Sequence, residues 1–340
     1  MSASPEEPPP RVSVVVPFFD EEDVAESVLK ELRMVLGDLE APYELVAVDD
    51  GSRDATYERI LAGIAGDPQC VALRLRRNSG QTAALAAGID RARGEVVVLL
   101  DGDGQNDPED IPRLLEALEA GFDVASGWRR QRRDAYWTRV FPSKVANALI
   151  ARLSGVPIRD LGCSLKAYRR EFLEGIRLYG EMHRFLAIHA VWEGARLTEL
   201  EVHHRPRTSG RSKYGLERTF KVVLDLIVMV FLRRYGTKPI YPFGGFGLLS
   251  MACGFLAALA AIAFKFAPPP YTKSFVETPL PLLVVLLVLV GVLSIMLGLL
   301  AEMLTRTWHE SQAKPVYRLA EVRGGDEVER PSPEPRTSAS

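Results

Sequence analysis

Short apolar runs alternate with longer segments of mixed polarity through the first 240 residues of the chain. The runs are rich in β-branched residues, a pattern typical of strands that are buried on both faces of a sheet. They are Arg11 to Val16, Leu45 to Val48, Val71 to Leu75 and Val96 to Leu100. Pro17 is expected to end the first strand, and the segments between the strands predict helices ending near Leu36, Ala65 and Arg91. This alternation predicts an α/β fold with a mostly parallel sheet and helices on both faces.

Two later runs contain no charged side chain and are long enough to cross a membrane as helices. They are Tyr241 to Phe264 and Pro279 to Ala301, and about 20 apolar residues span the hydrocarbon core of a bilayer. A buried helix pair of a soluble protein is the alternative, which two such runs side by side make less favourable. We therefore expect membrane spans at residues 241–266 and 279–301.

The segment 215–238 precedes the first span and combines basic ends with apolar residues at helical spacing. This pattern predicts an amphipathic helix in the membrane interface, with a core helix of the soluble domain as the alternative. Basic residues precede the first span at Arg233, Arg234 and Lys238, and Arg306 follows the second. The positive-inside rule then predicts that both flanks lie in the cytoplasm. We expect a multi-pass protein of the inner or plasma membrane with two spans and a cytoplasmic catalytic domain.

These features divide the chain into a soluble α/β domain at residues 11–214, followed by the interfacial helix and the two spans. Residues 1–10 are rich in proline and glutamate, lack the apolar core of a signal peptide and are expected to be disordered. Residues 302–340 are expected to form a cytosolic tail that is disordered from about residue 324.

Composition and charge exclude several classes of protein. The chain of 340 residues is 47% hydrophobic, enough for a full globular core. Its three cysteines, Cys70, Cys163 and Cys253, are far apart and indicate neither a disulfide framework nor a zinc site. The sequence contains neither G-x-G-x-x-G after the first strand nor G-x-x-x-x-G-K-[ST], so dinucleotide-binding and P-loop folds lose their main support. The net charge is −2, and we expect no nucleic-acid partner. The basic residues that are concentrated between positions 205 and 238 indicate binding of phosphate groups or of anionic lipid headgroups.

The candidate chemistry is concentrated at the end of the fourth predicted strand. Asp101 and Asp103 flank Gly102 there, and two carboxylates suit Mg²⁺ or Mn²⁺ held together with substrate phosphates. The alternative is a polar turn in which Asp103 or Asp107 caps a helix that starts near Pro108. Open α/β sheets bind ligands at this edge. The strand-end loops that should meet there and form a nucleotide pocket are Pro17 to Glu21, Asp49 to Ser52, Asn78 to Gln81 and Asp101 to Gln105.

Six motifs in order resemble those of family-2 glycosyltransferases. They are Pro17 to Glu22, Val48 to Ser52, Asn78 to Gln81, Asp101 to Gln105, Asp160 to Cys163 and Arg207 to Tyr214. The subgroup that they resemble is the polyprenyl-phosphate sugar transferases, which include dolichyl-phosphate mannose synthase and bacterial undecaprenyl-phosphate glucosyl and aminoarabinose transferases. The resemblance implies a GT-A fold and inverting transfer of a hexose from UDP-glucose or GDP-mannose to a polyprenyl phosphate, with a possible homo-oligomer.

The resemblance also implies roles for individual residues. Those that would bind the nucleotide sugar are Pro17, Phe19, Glu21, Val48, Asp50, Asn78, Gln81, Asp101 and Gly102. Those that would hold Mg²⁺ or Mn²⁺ in the Asp-x-Asp motif are Asp101, Asp103 and Gln105. Those with a catalytic role would be Asp103, Arg129, Arg207 and Lys213. Those that would hold the acceptor phosphate are Arg129, Arg139, Ser143 and Arg207.

The sequence departs from the family pattern at two places. Phe19 stands where the family often has tyrosine, and Gly102 and Gly104 replace the usual alanine and leucine, which is expected to loosen the metal-binding loop. The segment Glu181 to Phe185 is expected to be a loop that could move over the site.

Three other functions remain open from the sequence. A processive polysaccharide synthase would share the donor site but typically carries Q-x-x-R-W, and no tryptophan of this chain follows an arginine. A catalytically silent membrane scaffold is disfavoured by the intact Asp101, Asp103 and Lys213. A nucleotidyltransferase would release diphosphate and would not need a basic helix facing lipid.

Overall fold

The computed structural model describes residues 10–130, 150–152, 154–176, 178, 180–206, 230–231, 234–235, 238, 240–268, 270–271, 273–311, 319–324 and 327–329. The strands are β1 (Val12–Phe18), β2 (Tyr43–Asp49), β3 (Cys70–Leu75), β4 (Val96–Leu99), β5 (Val124–Trp128), β6 (Lys166–Arg169), β7 (Leu197–Glu201), β8 (Leu319–Gly324) and β9 (Glu327–Glu329). The α-helices are α1 (Ala25–Gly37), α2 (Thr56–Ile64), α3 (Gln81–Arg91), α4 (Ile111–Glu119), α5 (Leu186–Trp192), α6 (Ile240–Phe266) and α7 (Leu280–Ser311).

Four parallel strands form the centre of the sheet, in the order β4, β1, β2, β3. Every residue of β1 is buried, as expected for a strand covered by helices on both faces. Val14 and Leu45 from the sheet pack in one apolar core with Leu29 and Leu32 from α1. The predicted α/β fold with a parallel core is confirmed, and the strand ends at which ligands bind in such sheets lie along one edge.

Further strands extend this core on both sides, and the strand that joins the core on each side is antiparallel to it. Beside β4 lies β6, which pairs with β5, and β5 in turn pairs in parallel with β7. On the opposite side β8 pairs antiparallel with β3, and β9 with β8. The strands found in the described part of the chain therefore form one mixed sheet of nine.

Pro17 lies within β1 and does not end it, contrary to the prediction. Its carbonyl accepts a hydrogen bond from Gly102 N at 3.3 Å, which places its backbone polar groups on the β4 side. The β4 strand ends at Leu99, so the hydrogen-bond ladder between β1 and β4 does not extend to Pro17. The N–H group that proline lacks is therefore not required there. The strand therefore continues to Phe18, whose carbonyl accepts from Asp50 N at 2.9 Å.

Two other segments differ from the sequence prediction. Residues Met182–Phe185 form a 3-10 helix where an open loop was expected. After α7 the chain returns to the sheet: β8 pairs with β3, and Arg76 donates to the Leu319 carbonyl at 3.0 Å. Residues 327–329 continue this edge as β9, so the expected disorder from about residue 324 is wrong for them. Residues 330–340 lie outside the described residues.

Residues 226–314 form a second compact unit, which contains α6 and α7. The two apolar runs are helical as predicted, and each helix is long and apolar enough to cross a membrane by length and composition. The predicted amphipathic helix at 215–238 lies mostly outside the described residues. Its position in a membrane interface stays a prediction.

Small residues allow α6 and α7 to approach each other closely. A Cβ added to Gly247 would lie 2.6 Å from the Gly291 carbonyl oxygen, so glycine is required at this crossing. Ser250 Oγ donates to the Leu287 carbonyl at 2.8 Å and adds an interhelical hydrogen bond. Large apolar side chains such as Leu248 are exposed on the outer surface of this pair, as expected where lipid is the solvent.

Removal of residues 315–340 should destabilise the soluble unit, because β3 would become an exposed edge strand. We expect a loss of about 2 kcal/mol, which lowers the Tm of a unit of this size by roughly 4–8 °C. Thermal unfolding of the purified chain in detergent measures the change. Removal of residues 330–340 alone leaves β8 and β9 in place and should leave the Tm unchanged. Equal Tm values for the two truncated chains would contradict a structural role for β8.

Candidate active site

The loops that follow β1 and β2 are joined by hydrogen bonds. Ser52 Oγ accepts from Asp20 N at 3.0 Å, and Asp20 Oδ1 accepts from Arg53 N at 3.0 Å. Thr56 Oγ1 accepts from Glu21 N at 2.8 Å. Asp20 has a φ of 52°, in the left-handed region that residues with a Cβ rarely adopt. The first loop of the predicted pocket is therefore held in shape by the second.

Asp50 fastens the loop that leads from β3 into α3. Its two carboxylate oxygens accept hydrogen bonds from Ser79 N at 2.7 Å and from Gly80 N at 2.9 Å. Burial raises the pKa of Asp50, and these two backbone hydrogen bonds oppose the rise. Gly51 has a φ of 67°, and a Cβ there would lie 2.6 Å from Asn78 N, so only glycine fits. The first turn of α3 is positioned by these contacts.

Asp101 follows β4 and is surrounded by polar and charged side chains. Its Oδ1 accepts from Gln81 Nε2 at 2.6 Å. Burial, and then the charge of Asp103, raise the pKa of Asp101. The groups that oppose this rise are the Ser164 hydroxyl, which donates to the carboxylate, and the cations of Arg129 and Lys166. A half-buried carboxylate next to a second carboxylate favours a bound cation at this point.

Gly102 packs directly against the ring of Phe18. A Cβ added to Gly102 would lie 2.4 Å from Phe18 Cδ1 and 2.8 Å from the Pro17 carbonyl oxygen. The sequence predicted that this glycine would loosen the loop after β4. Instead, Gly102 allows that loop to approach β1 closely. Gly104, with a φ of 72°, completes the turn in a conformation that glycine favours.

The loop after Asp101 pairs with the chain segment that precedes the basic stretch. Asp103 Oδ1 accepts from Gln105 N at 3.1 Å, which shapes the turn. The Gln105 carbonyl accepts from Arg205 N at 2.8 Å, and Asn106 forms a β-bridge with His204. Residues 204–206 are thereby held beside the predicted metal ligands, immediately before Arg207.

Asp107, and not Asp103, caps the helical segment at Pro108. Asp107 Oδ1 accepts from Glu109 N at 3.1 Å. It also accepts from Arg205 at 2.9 Å, while the same guanidinium donates to both oxygens of Glu31 at 2.7 and 2.9 Å. Arg205 is therefore a structural clamp whose donors are used by carboxylates.

Arg129 forms a bidentate ion pair with Asp160. Its Nε and one terminal nitrogen donate to the two carboxylate oxygens at 2.8 and 3.0 Å. Burial works against the charge of Arg129, but the hydrogen bonds and charge of Asp160 raise its pKa overall. Asp160 thus fixes the orientation of the guanidinium that was predicted to bind phosphate.

Lys166 holds the turn that carries Asp160 and Ser164. It is almost fully buried, and its Nζ donates to the carbonyls of Leu161 at 3.2 Å and of Cys163. Burial lowers the pKa of Lys166. Sequence reasoning missed Lys166 and Ser164, although they follow the Asp160 motif directly. A lysine inside a short apolar segment was the signal that could have identified them.

The remaining predicted donor-site residues are placed as follows. Phe19 and Glu21 are half-buried at the end of β1, and Asn78 is exposed. Val48 is fully buried, and a Cβ added to Gly88 of α3 would lie 3.2 Å from its side chain, so only its backbone can face a ligand. Four predicted residues lie outside the described residues: Arg139, Ser143, Arg207 and Lys213.

Asp101, Asp103 and Gln105 could hold a divalent cation with two carboxylates and one amide. Among the described residues, no group of three or more His, Cys, Asp or Glu side chains is placed to hold a metal ion. This small set of hard oxygen donors fits Mg²⁺ or Mn²⁺ that takes its other ligands from phosphate and water. The pKa of Asp101 is raised because its charged form is unfavourable in this environment. A bound cation would stabilise that charged form.

Comparison with known sequences identifies full-length relatives. The sequence model described as "Glycosyl transferase family 2" matches residues 13–177. The chain is 40% identical over 319 residues to a dodecaprenyl-phosphate galacturonate synthase of Rhizobium johnstonii, covering 92% of each chain. It is 35% identical over 320 residues to an undecaprenyl-phosphate 4-deoxy-4-formamido-L-arabinose transferase of Serratia proteamaculans, covering 94% of this chain and 95% of the relative.

A solved structure shares the fold of the soluble part. It is glucosyl-3-phosphoglycerate synthase from Mycobacterium tuberculosis in complex with Mn²⁺, UDP-glucose and phosphoglyceric acid. The TM-score is 0.51 at 21% sequence identity, covering 65% of this chain and 79% of that chain. At this identity the similarity shows the fold alone, and it agrees with the predicted GT-A class.

Gly102→Ala should displace either Phe18 or the Asp101 turn, because the added methyl group has no space. We expect the free energy of unfolding to fall by about 1–3 kcal/mol, measured by urea unfolding in detergent. Gly37→Ala is the matched control, since a Cβ there meets nothing within 4 Å. Equal stability of the two variants would show that the Gly102 turn tolerates a side chain and would contradict this packing.

Proposed function

The chain belongs to glycosyl transferase family 2, and from this we propose that it transfers a hexose or hexuronate from a nucleoside diphosphate sugar to a polyprenyl phosphate. The reaction would invert the anomeric carbon and give a lipid-linked sugar, which then serves as a donor for cell-envelope glycan or protein glycosylation. By their names, both relatives at 35–40% identity act on polyprenyl phosphates.

The observation that carries the proposal is the position of Asp101 and Asp103 at the carboxyl edge of the parallel strands. The loops after β1, β2 and β3 border this edge, where open α/β sheets bind nucleotides. The apolar helices α6 and α7 support a lipid acceptor, because a polyprenyl phosphate is confined to a membrane.

The base and ribose of the donor would lie along the ends of β1 and β2. Pro17, Phe19 and Glu21 would contact them directly. The side chain of Val48 packs in the core, and the carboxylate of Asp50 accepts a hydrogen bond from Ser79 N. We therefore propose that these two residues shape the pocket and do not bond to the nucleotide through their side chains.

The diphosphate leaving group needs positive charge that is positioned before the reaction. Asp101, Asp103 and Gln105 would hold Mg²⁺ or Mn²⁺, which when bound neutralises the leaving diphosphate. Arg129 adds an oriented cation, but two of its N–H groups are used by Asp160. Arg207 and Lys213 would therefore supply most of the remaining positive charge.

The acceptor phosphate needs orientation more than a general base. Its second pKa is about 6, so it is mostly ionised at neutral pH and can attack the anomeric carbon directly. Arg139, Ser143 and Arg207 would orient it, and Arg129 would contact it from the donor side. Pairing of Arg205 with Gln105 starts the basic segment beside the metal-binding loop.

Chain connectivity supports a cytoplasmic soluble unit if α6 and α7 span the membrane. The chain leaves the soluble unit before α6 and rejoins its sheet at β8 after α7. An even number of crossings is then required, so both flanks lie in one compartment. The basic residues on these flanks indicate the cytoplasm.

The sugar is the least determined part of the proposal. UDP-glucose and GDP-mannose are the donors expected from the sequence resemblance. The relatives' names add galacturonate and 4-deoxy-4-formamido-L-arabinose. The donor panel must therefore include hexuronates.

The test incubates membranes containing the chain with undecaprenyl phosphate and radiolabelled UDP-glucose, UDP-galacturonate or GDP-mannose, followed by lipid extraction. At least one donor should give a labelled lipid. Asp103→Asn should lower the rate by at least about 100-fold, the typical effect of removing one group that stabilises transition-state charge. Asp38→Asn, at an exposed aspartate at the end of α1, should have no effect.

Two results would contradict the proposal. Absence of labelled lipid with a donor whose sugar strengthens binding to the chain would reject polyprenyl phosphate as the acceptor. Retention of most activity in excess EDTA would reject the divalent cation at Asp103.

A further inference from the structure

His183 is held in one orientation by the first turn of α3. Its Nδ1 lies 2.6 Å from Thr82 Oγ1, and the same hydroxyl lies 2.5 Å from the Gly180 carbonyl oxygen. Thr82 is buried and directly follows Gln81. Neither of these two contacts is part of the functions described above.

The contacts determine which ring nitrogen carries the proton. A carbonyl oxygen only accepts, so Thr82 donates its single hydroxyl proton to Gly180. Thr82 Oγ1 must then accept from the Nδ1–H of His183. Burial, together with the charges of Arg184 and Lys166, lowers the pKa of His183 to about 3, so the ring is neutral at physiological pH. Nε2 therefore carries a lone pair and no proton.

This lone pair is available to a ligand. Among the described residues Thr82 is the one hydrogen-bond partner found for the ring. Nε2 is also not one of the buried polar atoms that lack a partner. The side chain is half-buried, so Nε2 is reached from outside the protein.

His183 and the candidate metal ligand Asp101 both contact the first turn of α3. Gln81, next to Thr82 in sequence, donates to Asp101 at 2.6 Å. The charge of Lys166 acts on the pKa of both Asp101 and His183. The histidine therefore contacts the same helical turn that reaches Asp101, beside which the diphosphate of a donor would bind.

We propose that His183 Nε2 accepts a hydrogen bond from a hydroxyl group of the sugar carried by the donor, which makes His183 a specificity-determining residue. This inference rests on the proposed function in that a nucleotide sugar is the ligand. An ionised phosphate oxygen has no proton to donate, so it cannot bind this lone pair. The hydroxyl groups of the transferred sugar and of the ribose can both donate. We assign the bond to the transferred sugar, and comparison of a nucleotide sugar with its nucleoside diphosphate separates the two, because both ligands contain the ribose.

Two substitutions separate the two ring nitrogens. His183→Asn keeps an amide N–H near the position of Nδ1, where it can still donate to Thr82, but removes the outward acceptor. His183→Gln places an amide oxygen near the position of Nε2 and restores the acceptor. A structural role of the ring predicts the opposite order, because the contact with Thr82 would then matter more.

The experiment measures Kd by calorimetry on the purified full chain in detergent with Mn²⁺ present. The ligand pairs are UDP with UDP-glucose, UDP with UDP-galacturonate, and GDP with GDP-mannose; the pair whose sugar most strengthens binding is used. For that pair His183→Asn should weaken binding of the nucleotide sugar about 5- to 50-fold, as for loss of one hydrogen bond from a bound polar group. Binding of the nucleoside diphosphate alone should stay within about twofold, and His183→Gln should restore most of the loss.

Each other outcome overturns a defined part of the account. Equal weakening of both ligands by His183→Asn would indicate a role at the ribose, at the metal or in folding and would overturn the proposal, as would no weakening of either. Transfer to undecaprenyl phosphate is assayed on the same samples. Transfer by the wild-type chain with an unaffected His183→Asn variant overturns this inference alone, whereas a sugar-selective loss without lipid transfer overturns only the proposed acceptor. If no sugar strengthens binding, both fall.

Discussion

A partly buried carboxylate that lies beside a second carboxylate must be stabilised by other groups, and the arrangement of the soluble unit's polar edge depends on this requirement at Asp101. Gln81 reaches Asp101 from the first turn of α3, which Asp50 holds in place. Ser164 reaches it from a turn that the buried Lys166 supports. These supporting residues come from separate parts of the chain, so the site forms only when the whole sheet edge has folded.

The same edge bears on how a chain of nearly balanced charge would bind the polyanion that we propose as its donor. Two arginines near the site, Arg129 and Arg205, are already paired with carboxylates in bidentate geometry. They orient loops but contribute little free positive charge. We therefore expect the charge that faces the diphosphate to come from a divalent cation at Asp103 and from the basic segment after His204. The clamp at Arg205 matters because it sets where that segment begins.

The parallel core and the strand-end motifs could be predicted from the sequence, because runs such as Val96 to Leu99 encode a buried strand locally. Features that depend on distant partners could not. Pro17 remains in a strand because β4 ends before it needs a partner there, and Gly102 is required by the ring of Phe18. The return of the chain at β8 had no local signal, since its pairing partner β3 lies more than 240 residues earlier.

Asp101, Asp103 and Gln105 offer too few oxygens to bind a divalent cation tightly alone, so the diphosphate of the donor should complete the site. The most direct measurement is a Mn²⁺ titration of the purified full chain, with protein-bound Mn²⁺ followed by electron paramagnetic resonance, without nucleotide and with saturating UDP or GDP. We expect the nucleotide to tighten Mn²⁺ binding about 5- to 150-fold, the usual range of coupling between two ligands, and Asp103→Asn to remove that gain. Equally tight Mn²⁺ binding with and without nucleotide, or a gain that survives Asp103→Asn, would contradict a metal site shared between this sheet edge and the donor.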